Sequence, residues 1–277
     1  MNRRISSWLA LPLLLLTGCP SGGGGDGGFG NGGGISSRIA YVANSGSNNV
    51  SGYMIATTGA LTTIIGSPFS GVTAPSAITV SANSAFVYVT NQGGANTVSA
   101  FRINSTTGEL TLVAGSPFAA GTTPNAVTVS PNGNFLYVAN GGGNVSAYTI
   151  TAGTGALTPV AGSPFTAGTT PNAVTVSPNG NFLYVTNGSS DNVSTFTIDG
   201  VTGALTSPAT IAAGTSPSGV SIEPNGLFLY VANGGSNNVL AYTITAGTGA
   251  LTPVSGALGN PFSAGTTPSG IATPGRP

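Results

Sequence analysis

From residue 38 onward the chain alternates short apolar runs with breaks rich in glycine, proline and asparagine, and the alternation has a long period. Tyr41-Val42-Ala43-Asn44 returns as Tyr88-Val89-Thr90-Asn91, Tyr137-Val138-Ala139-Asn140, Tyr184-Val185-Thr186-Asn187 and Tyr230-Val231-Ala232-Asn233, at spacings of 47, 49, 47 and 46 residues. The third copy shows the full unit. It opens with Pro124-Asn125-Ala126-Val127-Thr128-Val129-Ser130, turns at Pro131-Asn132-Gly133, and continues through the motif to Asn144-Val145-Ser146-Ala147-Tyr148-Thr149-Ile150. After a glycine-rich turn come Ala156-Leu157-Thr158-Pro159-Val160 and the closing Gly162-Ser163-Pro164-Phe165. Val, Ile, Thr, Tyr and Phe fill the runs, and no stretch keeps a 3.6-residue apolar period long enough for a helix. The pattern predicts four strands per unit: A around Val127, B over Phe135 to Asn140, C over Val145 to Ile150 and D over Leu157 to Val160. Four short antiparallel strands in about 45 residues, repeated, is the arithmetic of a propeller blade.

Five copies of this motif resemble the YVTN-repeat β-propellers, including the lactonase-like (6-phosphogluconolactonase-like) propellers, over Arg38 to Thr273. The expected fold is all-β, a β-propeller of five four-stranded blades near residues 38–70, 75–118, 124–165, 171–212 and 217–262. Lactonase-like propellers are typically seven-bladed, so five is a departure. The first unit begins directly at strand B. Pro268-Ser269-Gly270-Ile271-Ala272-Thr273 matches the strand A sequence Pro75-Ser76-Ala77-Ile78-Thr79-Val80. Residues 268–273 are therefore expected to complete the first blade and fasten the ring, giving a monomer. Val127, Val129, Leu136 and Val138 should fill the inter-blade core. Small residues of strand A should line the axis. Pro159, Pro208 and Pro253 should blunt the outer edge strand.

The first 37 residues have a different logic. Arg3 and Arg4 precede an apolar run, Trp8 to Leu16, too short for the roughly 20 residues of a membrane-spanning helix. A basic start, a short apolar core and small residues after it describe a secretory signal. Its end, Leu16-Thr17-Gly18-Cys19, resembles the lipobox of bacterial lipoproteins, which implies cleavage after residue 18 and lipidation of Cys19, the sole cysteine. Two or three acyl chains would hold the protein stably on a membrane of the cell envelope. Residues 20–37 read as a flexible tether, with an r.m.s. span of roughly 20 Å. Gly22 to Gly27 satisfies a dinucleotide-binding glycine pattern only because a glycine run satisfies any such pattern.

Composition then removes most chemistry. Only 4% of residues are charged, against a globular norm of about 25%. There is no His and no Lys, so imidazole-ligated metals, Ser-His-Asp triads, Walker-type phosphate loops and Schiff bases are excluded. Zero formal charge gives no footprint for nucleic acid. No cofactor and no catalytic residue is expected. In propellers of the resembled kind, ligands usually meet the face formed by the D–A and B–C loops. On that face the candidate residues are Asp191, Asn48, Asn96, Asn144, Asn192 and Asn237. One reading makes them a polar ring for a sugar or peptide, or weak calcium ligands. The other makes them turn residues, since Asn tolerates left-handed geometry and bonds its own loop. Glu109 and Asp199 fall at C–D turns and Glu223 at an A–B turn, so no two carboxylates are brought together. Phe69, Phe118, Phe165 and Phe262 read as corner plugs. The function expected is a lipid-anchored binding module of the cell envelope, recognising a protein, glycan or small molecule. The resemblance implies a lactone hydrolase as the alternative, and a purely structural surface protein is the third reading.

Overall fold

The structure, a computed structural model, describes residues 38–94, 96–255 and 259–273; the proposed signal, Cys19 and the tether lie outside them. All elements among the described residues are strands, arranged in five antiparallel sheets. The inner strands A are Pro75–Val80, Pro124–Val129, Pro171–Val176 and Pro217–Ile222. Strands B and C follow as hairpins: Phe135–Asn140 pairs with Asn144–Ile150, setting Tyr137 opposite Ala147 and Val138 opposite Ser146. Strand A lies on the other side of B, with Val138 opposite Val127. All six residues of Phe135–Asn140 are buried, as are those of Phe86–Asn91 and Phe182–Asn187. A blade covered on both faces has no solvent side, so its central strand reads as a continuous apolar run.

The A–B turn is built from side chains. Ser130 Oγ accepts the Phe135 N–H at 3.0 Å and donates to Asn132 Oδ1 at 2.6 Å, while Gly133 supplies the positive φ of 75°. Ser81 and Ser177 repeat the arrangement. Strand D comes in two pieces. Leu157–Pro159 pairs with the end of strand C, and after the Gly-Ser-Pro turn Phe165–Thr166 pairs with its beginning. Phe118, Phe165 and Phe262, read as corner plugs, are thus also edge-strand residues, and Phe69 makes a single bridge to Val50. In the fourth blade one longer strand, Leu205–Ala212, spans both parts. Pro159, Pro208 and Pro253 lie on these outer strands, as expected.

Adjacent blades are joined by four apolar cores, one each between blades 1 and 2, 2 and 3, 3 and 4, and 4 and 5. In the second of these, Leu136 and Val138 meet Phe86 and Tyr88 of the preceding blade, with Val127 and Val129 packed against them. The motif tyrosine completes every junction. Tyr41, Tyr88, Tyr137 and Tyr184 each donate their hydroxyl to a glycine carbonyl in the C–D turn of the next blade, Gly108, Gly155, Gly203 and Gly249, at 2.6, 3.1, 3.0 and 2.9 Å. Only glycine fits there: a Cβ on Gly155 would lie 2.3 Å from the Phe86 ring. Burial pushes Tyr41 up to about 12 and Tyr88, Tyr137 and Tyr184 higher still, because a phenolate would lose its water.

The expected fastening by residues 268–273 is corrected by the structure. The first sheet has three strands, Arg38–Asn44, Asn49–Ile55 and Leu61–Thr63, and among the described residues its strand B pairs only with strand C. The terminal segment instead lies along strand A of the fifth blade. Ser218 donates to the Pro268 carbonyl at 2.5 Å, the Thr273 N–H donates to Ser221 Oγ at 3.1 Å, and the Thr273 hydroxyl donates to the Ile222 carbonyl at 2.7 Å. It occupies the place that strand A of a following blade takes elsewhere, where Ser76 reaches the Pro124 carbonyl and Asn172 the Pro217 carbonyl. Two glycines allow the approach: a Cβ on Gly219 would sit 2.9 Å from the Gly270 Cα. No core among the described residues joins blade 5 to blade 1.

Candidate functional site

The D–A and B–C loops meet on one face, as expected, and backbone hydrogen bonds bind them together. Gly141 and Gly142 donate to the Thr123 and Thr122 carbonyls at 2.7 and 3.0 Å, and Gly234 and Gly235 repeat this with Ser216 and Thr215 at 2.9 Å each. A second set of bonds comes from the preceding blade. Asn48 Oδ1 accepts the Ala74 N–H at 2.6 Å, Asn96 that of Thr123 at 3.0 Å, Asp191 that of Ser216 at 2.8 Å and Asn237 that of Thr267 at 2.7 Å. These four side chains are carried at positive φ, between 47° and 55°, a region Asn and Asp tolerate. Four of the D–A loops are thereby stitched to the blade they leave and, at the crossings described, to the blade they enter; the loop at Thr169–Thr170, which follows a B–C loop of three glycines, is tied to the blade it enters by Gly188 and Ser190. The residues that donate these N–H groups also sit at positive φ, including Thr123 at 55° and Thr267 at 47°, which is costly for a β-branched residue and held by these ties.

Asn144 and Asn192 have a different position. They begin strand C, and their Oδ1 atoms accept the amide of the motif asparagines Asn140 and Asn187 at 2.8 and 2.7 Å. The motif asparagine is buried and donates also to the strand C serine, Ser146 or Ser194, at 2.9 Å. Asn140 and Asn187 Oδ1 have no hydrogen-bond partner, whereas Asn91 and Asn233 accept the N–H of Thr73 and Gly214. All six candidates are thus brought to one face, and each has an amide or carboxylate oxygen engaged within the loops.

The inner strands add a polar belt that the loop-based reading missed. Asn125 Nδ2 donates to the Pro171 carbonyl at 2.8 Å, Asn172 to Pro217 at 3.2 Å, and Gln92 Nε2 to Asn125 Oδ1 at 2.7 Å. The signal was present in the sequence, since the second residue of every strand A is Ser or Asn. With Ser189, Ser190, Thr169 and Thr215 on the neighbouring loops, this end of the axis presents hydroxyl and amide groups. Its one carboxylate among the described residues is Asp191.

The other charged side chains are elsewhere. Asp199 folds its own C–D turn by accepting the N–H groups of Thr202 and Val201 at 2.8 and 2.9 Å, which hold its carboxyl below the usual range. Glu109 is bonded to Thr107 at 3.0 Å. Arg102 lies 5.2 Å over the Phe86 ring and donates to the Gly153 carbonyl. Glu223 directly follows strand A of the fifth blade and accepts the Tyr230 hydroxyl at 2.7 Å. Among the described residues no three acidic, His or Cys side chains converge as a metal site.

A family model described as lactonase, 7-bladed beta-propeller, matches residues 34–170 and 160–263. Among solved structures, a 6-phosphogluconolactonase candidate from Bacteroides fragilis is 21% identical, with TM-score 0.68 over 84% of this chain and 69% of that one. A protein from Lactobacillus plantarum is 20% identical, with TM-score 0.67 over 84% and 70% of the two chains. The periplasmic gluconolactonase of Pseudomonas aeruginosa is 19% identical, with TM-score 0.62 over 80% and 65%. At these identities the likeness is one of fold. A comparison with curated proteins finds no match.

Proposed function

The chain belongs to the lactonase, seven-bladed β-propeller family, and from that premise we propose that it is a binding module for neutral, hydroxyl-bearing ligands of the glycan type, exported and held at the cell envelope by lipid on Cys19. The observation that carries this reading is the make-up of the D–A/B–C face. Its polar groups are hydroxyls and amides, and its single described carboxylate, Asp191, accepts the Ser216 N–H. Such a face can exchange hydrogen bonds with an uncharged polyol at little desolvation cost, since none of the bonds buries an ion. Anchoring rests on the lipobox-like Leu16-Thr17-Gly18-Cys19.

The second reading is lactone hydrolysis, favoured by the family itself and by the gluconolactonase from Pseudomonas aeruginosa among the similar structures. Opening a lactone needs an activated water and donors placed for the tetrahedral oxyanion. Asp191 is the one described carboxylate on this face, and neither its B–C loop nor the adjoining D–A loop holds an Arg to receive a phosphorylated substrate. The binding reading therefore fits the residues better.

A panel of immobilised neutral and anionic glycans, probed with the purified protein at low and high salt, tests the proposal. Binding to neutral members that is indifferent to salt is expected, because no charge pair is involved. Binding confined to anionic glycans and lost in salt would overturn it.

A further inference from the structure

The residue before the proline that ends each D–A loop stands at positive φ: Ala74 at 42°, Thr123 at 55°, Thr170 at 58°, Ser216 at 50° and Thr267 at 47°. At four of these positions the N–H is taken by a side-chain oxygen of the residue just before strand C of the preceding blade. Three of those oxygens belong to carboxamides, of Asn48, Asn96 and Asn237, and the fourth to the Asp191 carboxylate. The crossing from blade 3 to blade 4 is built differently. Its B–C loop, Gly141-Gly142-Gly143, is shorter than the others, and Gly143, at φ 95°, stands where they carry Asn or Asp. Thr170 keeps the strained conformation of its counterparts, yet its N–H has no partner among the described residues. A second tie is missing from the same loop. Asn187 Oδ1 is buried without a partner, whereas Asn233 Oδ1 accepts the Gly214 N–H at the next crossing. Close packing accounts for two of the three glycines: a Cβ on Gly141 would lie 3.1 Å from Asn125 Nδ2, and one on Gly142 3.1 Å from Thr122 Cβ. A Cβ on Gly143 would meet only the Gly168 carbonyl, at 3.5 Å, which is ordinary contact. The loop thus leaves out a side chain for which there is room, above a donor already held in place. The hydroxyls of Thr170 and Ser189, 2.8 Å apart, belong to the same crossing, with Ser189 exposed.

We propose that the ligand supplies the missing group: a carboxamide carbonyl of the ligand accepts the Thr170 N–H in the place of the absent Asn side chain. Resting on the neutral-glycan reading above, this makes the ligand an N-acetylated amino sugar. Its acetamido group carries the same planar amide that Asn48, Asn96 and Asn237 place over the equivalent donors, and it brings no charge. The sugar hydroxyls then have the Thr170 and Ser189 hydroxyls as partners. A ligand carboxylate would match the single N–H as Asp191 does at its own crossing, but this chain has no Lys, and no Arg lies on the described loops of this face to balance the charge. Because the backbone already holds Thr170 in the bonded conformation, little ordering is spent on binding. A sugar with a hydroxyl in place of the acetamido group leaves the N–H without its carbonyl, and the site discriminates against it on that ground.

Calorimetric titration of the purified protein with tetra-N-acetylchitotetraose and with cellotetraose gives the test, since the two differ only in acetamido against hydroxyl at C2. The acetylated sugar should bind about tenfold more tightly, the worth of one hydrogen bond. Equal affinity, tighter binding of an oligomeric glucuronate, or no binding of the acetylated sugar would each overturn the subsite; the glycan panel above decides separately whether the broader reading stands. Gly143→Asn restores the tie used at the other four crossings. It should weaken binding of the acetylated sugar by about tenfold, leave the melting temperature unchanged or raised, and slow hydrogen exchange of the Thr170 amide to the rate of Thr123 and Ser216. Unchanged affinity in the folded variant would overturn the proposal. In the unaltered protein, the Thr170 amide resonance should shift on adding the acetylated sugar while those of Thr123 and Ser216 stay in place. Binding that leaves the Thr170 resonance unmoved would contradict it, whether or not the variant folds.

Discussion

At the scale of the residue, the repeat motif is an assembly code for blade junctions. Its tyrosine bonds forward to the next blade, and its asparagine bonds inside its own hairpin to the first residues of strand C. Removing the hydroxyl of Tyr137 leaves the Gly203 carbonyl without its donor, so Tyr137→Phe should cost about 1–2 kcal/mol in urea unfolding. Tyr230→Phe should cost less, because its hydroxyl meets Glu223 at a half-open surface. The same carboxylate, with burial as the larger cause, raises the Tyr230 pKa. Asp191 is judged by the same rule. Asp191→Asn keeps an acceptor for the Ser216 N–H and should change stability by less than about 0.5 kcal/mol, whereas Asp191→Ala should cost about 1 kcal/mol. The candidate residues on this face were legible in the sequence as loop positions. The bonds of Asn48, Asn96, Asp191 and Asn237 to the D–A loops were not, because those partners are separated by 25 to 30 residues and lie across a blade boundary.

At the scale of the element, strands A, B and C fall where the apolar pattern places them, since both faces of each sheet are covered and every run is bounded by Gly, Pro or Asn. Strand D was only half legible: Phe118–Ala119 and its counterparts are two-residue pieces after a Gly-Ser-Pro turn, too short to show a period. The terminal segment exposed the other limit of sequence reading. Its likeness to Pro75–Val80 identifies it as a strand A, yet sequence likeness does not say which strand it will lie against. The junction tyrosines give the elements a shared pH dependence. Their folded pKa values are raised above the ordinary 10.0, to about 12 for Tyr41 and Tyr242. Their contribution to stability is therefore complete below pH 10 and is lost as the pH rises towards 12, since the unfolded chain releases the protons first. Melting temperature should hold steady from pH 7 to 9 and fall steeply above pH 10. Tyr137→Phe should reduce the steepness of that fall; an unchanged alkaline slope in the variant would contradict the linkage.

At the scale of the whole molecule, five blades joined by four cores carry a loop face made almost entirely of neutral hydrogen-bonding groups. The proposed lipid at Cys19 and the glycine-rich tether would hold the blades at a membrane surface without fixing which face they turn to it. Replacing Cys19 by Ser should move the protein from the membrane to the soluble fraction and leave its signal uncleaved; identical fractionation and mass would refute the anchor. The central claim is that this family member binds without hydrolysing, and a pH-stat measurement of lactone opening at neutral pH addresses it directly. With simple and phosphorylated sugar lactones, the purified protein should give the buffer rate at every substrate concentration. A saturable rate above buffer, abolished by Asp191→Asn in a protein that still melts normally, would contradict the account and return the chain to the hydrolases.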